Sequence, residues 1–339
     1  MRRSAHIENS NPSMKHISIL VPNEAVLPSI VDPRYMFTAV NQFLEAKGRP
    51  ALFNVQLIGL TKEVLLNQGS FTVHTDALIH DLDKTDLVIV PALGGSMPTT
   101  LEQNKEFVPW ITKQYKNGAE VASLCLGAFL LASTGLLNGK ECSTHWLFAD
   151  EFRSMFPEVK LIDGKIISDE QGIYSSGGAS SYWNLLLHLV EKYTDREIAI
   201  QASKFFALEI DRKSQSPFIM FNGQKKHEDE PIKQAQEFIE HNIADKISVE
   251  HLALKFAIGK RHFERRFKKA TNNTPIEYIQ RVRIEAAKKR FESSTKNVSE
   301  VMYDVGYCDV KAFRTVFKKI TGLPPIEYRN RYNKEAALS

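Results

Sequence analysis

The chain has 339 residues, with 44 Lys and Arg against 40 Asp and Glu and a formal net charge of +4. A hydrophobic fraction of 43% beside 25% charged residues is that of an ordinary globular protein and excludes a disordered or fibrous chain. No apolar run reaches the roughly 18 residues of a membrane helix, the polar start MRRSAHIENSNPS does not read as a secretory signal, and the length points to two domains.

The predicted elements begin after a tail expected to be disordered to about Pro12. HISILVP (His16–Pro22) reads as a buried strand, Pro33–Lys47 as a helix ending at Gly48, and Phe53–Gly59 as a second strand. Asp86–Pro91 is a third strand, apolar on both faces. A helix is predicted over Glu102–Asn117, then the strand GAEVASL and a helix from Leu126 to Leu137. Short strands at Ile166–Ser168 and Gly172–Ser175 precede a closing helix over Ser180–Tyr193. Strands alternating with helices imply a mostly parallel sheet covered on both sides, whose ligands bind beyond the carboxyl ends of the strands.

Four stretches fall at those ends. VASLCLGAFLL places Cys125 at a sharp strand-to-helix turn, where helix amides are expected to lower the thiol pKa. Ser143-Thr144-His145-Trp146 can bring an imidazole to that thiol. In VPALGGSMP, Gly94 and Gly95 allow close approach of the backbone to a ligand, and Gly177 and Gly178 in SSGGASS end another strand in the same way. Duller readings stand beside these: a buried apolar cysteine, a structural His-Trp pair, glycines that only form turns. The spacing of Cys125, Cys142 and His145 matches no zinc pattern, so no metal and no cofactor is expected. The three cysteines (Cys308 is the third) make no disulfide framework and point to a reducing cytosol.

The charge is unevenly shared. From Pro231 onward there are 22 Lys and Arg against 13 Asp and Glu, and the rest of the chain is acidic on balance. This basic tail carries an internal repeat. At an offset of 50, HFERRFKKATNNTPIEYIQR (262–281) and AFRTVFKKITGLPPIEYRNR (312–331) share ten identities in twenty positions. Short helical runs at Val249–Phe256 and Glu300–Val305 precede the copies, separated from them by tight turns at Ala257–Gly259 and Gly306–Cys308. Helix, turn, basic helix is the helix-turn-helix pattern. The helix from Pro275 to about Glu292 joins the copies and spans about 27 Å, which suits two readers roughly 34 Å apart on adjacent major grooves.

Phe263, Phe267, Phe313 and Phe317 form i, i+4 pairs that belong in the core. That leaves Lys260, Arg261, Glu264, Arg265 and Lys268 outward or sideways on the first basic helix. Lys268, Lys269, Lys318 and Lys319 are expected at phosphates. The polar stretch Gly223–Glu230, GQKKHEDE, reads as part of an interdomain linker.

ISVEHLALKFAIGKRHFERRFKKATNNTPIEYIQRVRIEAAKKRF and VSEVMYDVGYCDVKAFRTVFKKITGLPPIEYRNRY resemble the AraC/XylS-type DNA-binding domain. The resemblance places Arg261 and Arg265 at base-reading positions. Their counterparts on the second helix are Val310, Lys311 and Thr315, with Arg314 one place earlier than the family's usual arginine. The elbow, the Gly-Gly stretches and GLLNGKECSTHW resemble the ThiJ/PfpI-like class of the class I glutamine amidotransferase superfamily, whose enzymes use a cysteine, a histidine and an acid after the first strand. Cys125 and His145 match the first two. Ser29 stands in the acid's slot, with Glu24 and Asp32 nearby.

The fused arrangement resembles the GlxA-like transcription regulators. It implies a three-layer α/β domain of flavodoxin-like, ThiJ/PfpI type over 14–212, a linker over 213–230, and an all-α domain with two helix-turn-helix units over 231–332. The expected function is a cytoplasmic, dimeric, sequence-specific DNA-binding transcription regulator, nucleoid-associated when bound and not at a membrane. RNA polymerase is an expected contact. Cys125, His145, Gly94, Gly95, Glu24, Gly177 and Gly178 are expected around a small-molecule effector, with no catalytic residue. The alternative is a cysteine-dependent amidase or glyoxalase-like enzyme carrying a DNA-binding domain.

Overall fold

The computed structural model describes residues 14–210, 212 and 214–333. The tail expected to about Pro12 lies outside them, as do Asp211 and Lys213 of the expected linker. The chain divides into two compact units, one running to Gln215 and the other starting at Ser216.

The first unit enters on β1 (Lys15–Leu20) and passes into α1 (Pro28–Ala46), which starts earlier than the predicted Pro33. Pro28 takes a first-turn position, where its missing N–H costs nothing, and Pro33 is carried inside the helix and buried. β2 (Phe53–Gly59) follows, then β3 (Glu63–Leu66), β4 (Phe71–His74) and β5 (Ala77–Leu78). The β3–β4 hairpin has no counterpart among the predicted elements. Its four-residue strands bury only Val64, Leu66 and Val73, too little alternation to stand out as a pattern.

β6 (Leu87–Val90) leads to α2 (Met97–Gln103) and α3 (Phe107–Lys116), two helices where one was expected. The break has a cause in Asn104. Its buried carboxamide accepts the Asn23 N–H at 2.8 Å and donates to the carbonyls of Asn23 (3.0 Å) and Thr100 (2.8 Å), pinning the loop after β1 to the end of α2. β7 (Glu120–Ser123) and α4 (Gly127–Ala132) form the elbow. β8 (Glu141–Cys142), α5 (Ala149–Met155), β9 (Lys160–Leu161), β10 (Ile167–Glu170), β11 (Ile173–Ser176), α6 (Tyr182–Tyr193) and α7 (Arg196–Phe205) complete the unit. Neither α5 nor α7 was among the predicted helices.

Seven strands make one sheet in the order β10-β11-β7-β6-β1-β2-β5, parallel except for the edge strand β10. Alternate side chains serve opposite faces. Ile17, Ile19, Leu87 and Ile89 pack with residues of α1, α6 and α7. Leu20, Val88 and Val90 pack with residues of α3, α4 and α5 on the other face. This is the three-layer α/β architecture read from the sequence.

The second unit is helical: α8 (Glu230–His241), α9 (Val249–Lys255), α10 (Lys260–Thr271), α11 (Pro275–Ser293), α12 (Val298–Asp304), α13 (Val310–Thr321) and α14 (Pro325–Tyr332). Much of the stretch expected to be a linker is part of this unit. The Phe221 ring packs on Tyr278 at 5.2 Å, its N–H donates to Glu285 Oε2 at 3.1 Å, and the Gln224 carbonyl accepts from Gln236 Nε2 at 3.0 Å.

The sequence repeat becomes two small cores that share one helix. α11 contributes Tyr278 and Ile279 to the first core, beside Phe263 and Phe267. It contributes Ile284, Ala287 and Phe291 to the second, beside Phe313 and Phe317. α11 is therefore both the last helix of one half and the first of the next. Matched polar bonds follow this plan: Tyr278 Oη donates to Glu240 Oε1 on α8 at 2.7 Å, and Tyr328 Oη to Glu292 Oε1 on α11 at 2.5 Å. Thr274 and Glu277 form a capping box at the start of α11.

Between the two helices of each motif the backbone takes a left-handed turn, at Ala257 (φ 52°) and at Gly306 (φ 79°). The offset is 49 before these turns (Val249 to Val298) and 50 after them (Lys260 to Val310), so the second turn is one residue longer.

Candidate DNA interface and ligand site

On α10, Phe263, Phe267 and Thr271 are buried. Lys260, Arg261, Arg265, Lys268 and Lys269 are exposed, and Glu264 is half-buried. On α13 the buried set is Phe313, Phe317 and Thr321, leaving Val310, Lys311, Arg314, Thr315, Lys318 and Lys319 exposed. Every residue assigned to the DNA face thus lies off the core face of its helix. The lysines close the last turns of both helices, where positive charge also complements the helix dipole.

Neighbours shape what these side chains can do. Lys260 is ion-paired with Glu250. Arg265 Nη2 lies 2.9 Å from His262 Nδ1 on the same exposed face. Thr315, exposed, donates its hydroxyl to the Lys311 carbonyl at 2.8 Å. A groove of about 720 Å³ runs between α10 and the start of α11, lined by Arg265, Lys268, Lys269, Pro275 and Ile276 among others.

Arg266, the one arginine of α10 absent from the expected DNA face, has a structural partner. Its Nε and Nη2 donate to the two Asp229 carboxylate oxygens at 2.9 and 2.7 Å, and Asp229 also accepts the Ile232 N–H that opens α8. The Arg266 guanidinium holds the Asp229 carboxyl below the usual carboxylate range. Arg283 is a second arginine that the sequence reading left without a role. It lies on α11 and bonds the carbonyls of Asp245 and Gly306.

In the first unit the strand ends converge as expected. The Glu24 carbonyl accepts the Gly94 N–H at 2.7 Å, and Gly95 (φ 70°) sits beside the Glu24 carboxylate. Ser29, in the slot of the family's acid, is structural: buried, its Oγ accepts the Ala92 N–H at 2.9 Å and donates to the Val26 carbonyl at 2.6 Å. Cys125 has φ 52°, the strained left-handed conformation of an elbow. Gly127 lets that elbow close on the sheet, since a Cβ there would lie 2.4 Å from the Pro91 oxygen and 2.5 Å from that of Val90. The Cys125 N–H donates to Ser176 Oγ at 3.3 Å, and Thr144 Oγ1 donates to the Cys125 carbonyl at 3.0 Å.

Two expectations at this site are corrected. The Cys125 thiol is not lowered: burial pushes its pKa up to about 11, outweighing the Leu126 N–H beside it. His145 caps its own short helix, Trp146–Phe148, by accepting the Leu147 N–H on Nδ1 at 3.1 Å. Burial lowers its pKa, and among the described residues no hydrogen bond joins it to Cys125. At Gly177 the backbone approaches protein closely, since a Cβ there would meet the Gln215 carboxamide at 2.2 Å.

Asp32, one of the acids near the Ser29 slot, accepts from Tyr182 Oη on its Oδ2 at 2.6 Å. Burial raises the Asp32 pKa, and the nearby Cys125 is one of the groups that raise that of Tyr182. No sequence signal marks Tyr182, which lies 150 residues from Asp32. Cys142 is a core thiol, pushed up to about 12 by burial, and Cys308 is exposed. Among the described residues no three His, Cys, Asp or Glu side chains are grouped to hold a metal ion, and no helix is long and apolar enough to cross a membrane.

Comparison with known proteins agrees with this division. The helix-turn-helix domain family model matches residues 252–331, and the DJ-1/PfpI family model matches residues 28–192. The chain is 24% identical over 317 residues to the HTH-type transcriptional regulator GbdR of Pseudomonas aeruginosa, covering 90% of this chain and 81% of that protein. It is 19% identical over 228 residues to the HTH-type transcriptional regulator GlxA of Rhizobium meliloti, covering 66% and 69%. Among solved structures, a ThiJ/PfpI family protein from Pseudomonas syringae shares the fold (TM-score 0.50, 15% identity, 71% of this chain and 93% of that one). With a DJ-1/PfpI family match followed by a helix-turn-helix domain match, the chain has the arrangement of a DNA-binding transcription regulator and is similar to the HTH-type transcriptional regulators GbdR and GlxA.

Proposed function

We infer that this regulator reads two successive major grooves of one duplex with α10 and α13, and that its first unit receives a small-molecule signal. The observation that carries the reading is the duplicated helix-turn-helix built on one shared helix, with a basic exposed face on each half. Arg261 and Arg265 are the base readers of the first half, since a guanidinium matches the paired acceptors of guanine. Val310, Lys311, Arg314 and Thr315 serve the second half, where the Thr315 methyl suits a thymine methyl. The lysine pairs Lys268–Lys269 and Lys318–Lys319 hold phosphates.

Arg265→Ala is expected to weaken binding to the cognate operator by about 1–3 kcal/mol and to relax preference at one base position. Lys268→Ala is expected to weaken all sequences alike and to lower the salt slope by about 1. Fluorescence anisotropy over a salt series on matched and scrambled duplexes checks both. Equal losses on the two duplexes for Arg265→Ala would remove it from base reading.

For the effector, the proposed site lies at the strand ends around Cys125, Glu24, Gly94, Gly95 and His145, with Asp32 and Tyr182 added and Gly177 and Gly178 at its margin. A buried thiol with a raised pKa and no imidazole bonded to it argues against a cysteine nucleophile, so no hydrolase activity is assigned. Pairing of two copies through the first unit, contact with RNA polymerase and a cytoplasmic location complete the proposal. Cys125→Ala is expected to bind the operator normally but to lose the response of the promoter to inducing conditions. A normal response in that variant removes the thiol from the signal.

A further inference from the structure

Two halves that read one duplex must be held at one separation and one rotation relative to each other. A shared helix alone does this poorly, because each half can rock about its own end of that helix. The structure supplies a second tie in the middle of α11. Arg283 is half-buried there, and its fork spans the two halves. Nη2 donates to the Asp245 carbonyl at 2.6 Å and Nη1 to the Gly306 carbonyl at 3.1 Å, with the guanidinium 5.6 Å from the Tyr307 ring.

Asp245 belongs to the loop between α8 and α9, in the first half. Gly306 and Tyr307 belong to the turn that launches α13, in the second. The turn also rests directly on the loop. A Cβ at Gly306 would lie 2.6 Å from the Ile243 carbonyl oxygen and 2.9 Å from that of Ala244, so only glycine permits the contact, and φ of 79° suits glycine as well. An aliphatic side chain at position 283 could fill the same space. A planar fork holds separate donor nitrogens at a fixed spacing for two carbonyls from different halves, whereas a lysine ammonium offers its donors from one rotating point charge without that geometry.

We propose that Arg283, seated against the Gly306 turn, is the positioning residue that sets the separation of the two reading helices and hence the half-site spacing this regulator accepts. The proposal rests on both halves engaging one duplex.

The test uses the full chain and an operator selected by the unaltered protein from a random duplex pool. Versions of that operator with one base pair added or removed between the half-sites turn one half-site by about a tenth of a helical turn. The unaltered protein is expected to lose roughly tenfold in affinity on the altered spacings, comparable to a mismatched base pair. Arg283→Met is expected to bind the selected operator more weakly but to lose less than about threefold on the altered spacings. Arg283→Lys is expected to fall between the two. Thermal unfolding shows whether each variant is folded, and Arg283→Gln, which keeps one donor, replaces a methionine variant that is not.

If Arg283→Met weakens every spacing by the same factor, the residue serves affinity or folding, and the proposal is overturned. If the unaltered protein ignores the added base pair, the two-groove reading itself fails, and the proposal falls with it. A spacing penalty present in the unaltered protein and retained in Arg283→Met would overturn the positioning role alone.

Discussion

Replacing Phe267 with alanine is expected to cost the helical unit roughly 3–5 kcal/mol of stability and, with it, DNA binding. Phe267 is fully buried and meets Phe263 at 5.6 Å and Tyr278 at 5.3 Å between ring centroids. It is the point where α10 is pressed onto α11. Each half has its own small core, so few neighbours are available to collapse into the cavity, and the full cost of an unfilled space remains. Phe317→Ala, between Phe291 and Tyr328, is expected to cost about the same in the second half. Urea unfolding of the full chain, read on the helical transition, gives the number. A loss below about 1 kcal/mol would show that the i, i+4 aromatic pair is not what holds the reading helix in place.

Lys288→Met is expected to be nearly as damaging, for an electrostatic reason. Lys288 and Glu285 are paired at 2.8 Å on α11, with side chains only 3% and 11% exposed. Lys288 Nζ also donates to the Ile219 carbonyl at 2.5 Å, and Glu285 accepts the Phe221 N–H, so the pair pins the residue 219–221 stretch to the helix. Removing the ammonium leaves a carboxylate buried against apolar neighbours, a loss of about 3–5 kcal/mol in such sites. Removing both charges is different. In the double variant Glu285→Gln, Lys288→Met neither ion has to be taken out of water, and the expected loss is only a fraction of that of the single change. A double-mutant cycle by denaturation separates the two accounts. Equal losses in the single and double variants would mean that packing of the lysine stem, not its charge, is what matters.

The helical unit was almost wholly legible. Its repeat, its proline-initiated helices and the inward phenylalanines are all local regularities, and each reappears as α10, α11, α13 and α14. The central strands β1, β2, β6 and β7 and the elbow were legible for the same reason, while the two-residue strands β5, β8 and β9 were not. What escaped was whatever a short segment does only because something distant meets it. The β3–β4 hairpin was one case, and the break between α2 and α3 caused by Asn104 was another. The polar segment read as a linker was a third: Phe221 and Gln224 are held by α8 and α11, which no local pattern announces.

The candidate ligand site shows the same divide more sharply. Cys125 at a strand-to-helix turn can be read from VASLCLG. The state of its thiol cannot, because that depends on how much protein closes over it, and here burial wins over the elbow amides. His145 spends its Nδ1 on Leu147, and Asp32 is bonded by Tyr182, a residue far from it in the chain. The reading helices likewise declared their charge and core face in sequence, whereas the Arg283 fork that spans both halves did not.

By itself, then, the sequence determined the longer helices and central strands, which of their faces are apolar, and that a cationic module occurs twice, because periodicity, capping and charge act over a few residues. The tertiary structure alone decided which thiol is shut away, which acid meets the Tyr182 hydroxyl and which arginine bonds both modules. Desolvation and hydrogen bonding between residues far apart in the chain exist only once the fold has brought them together.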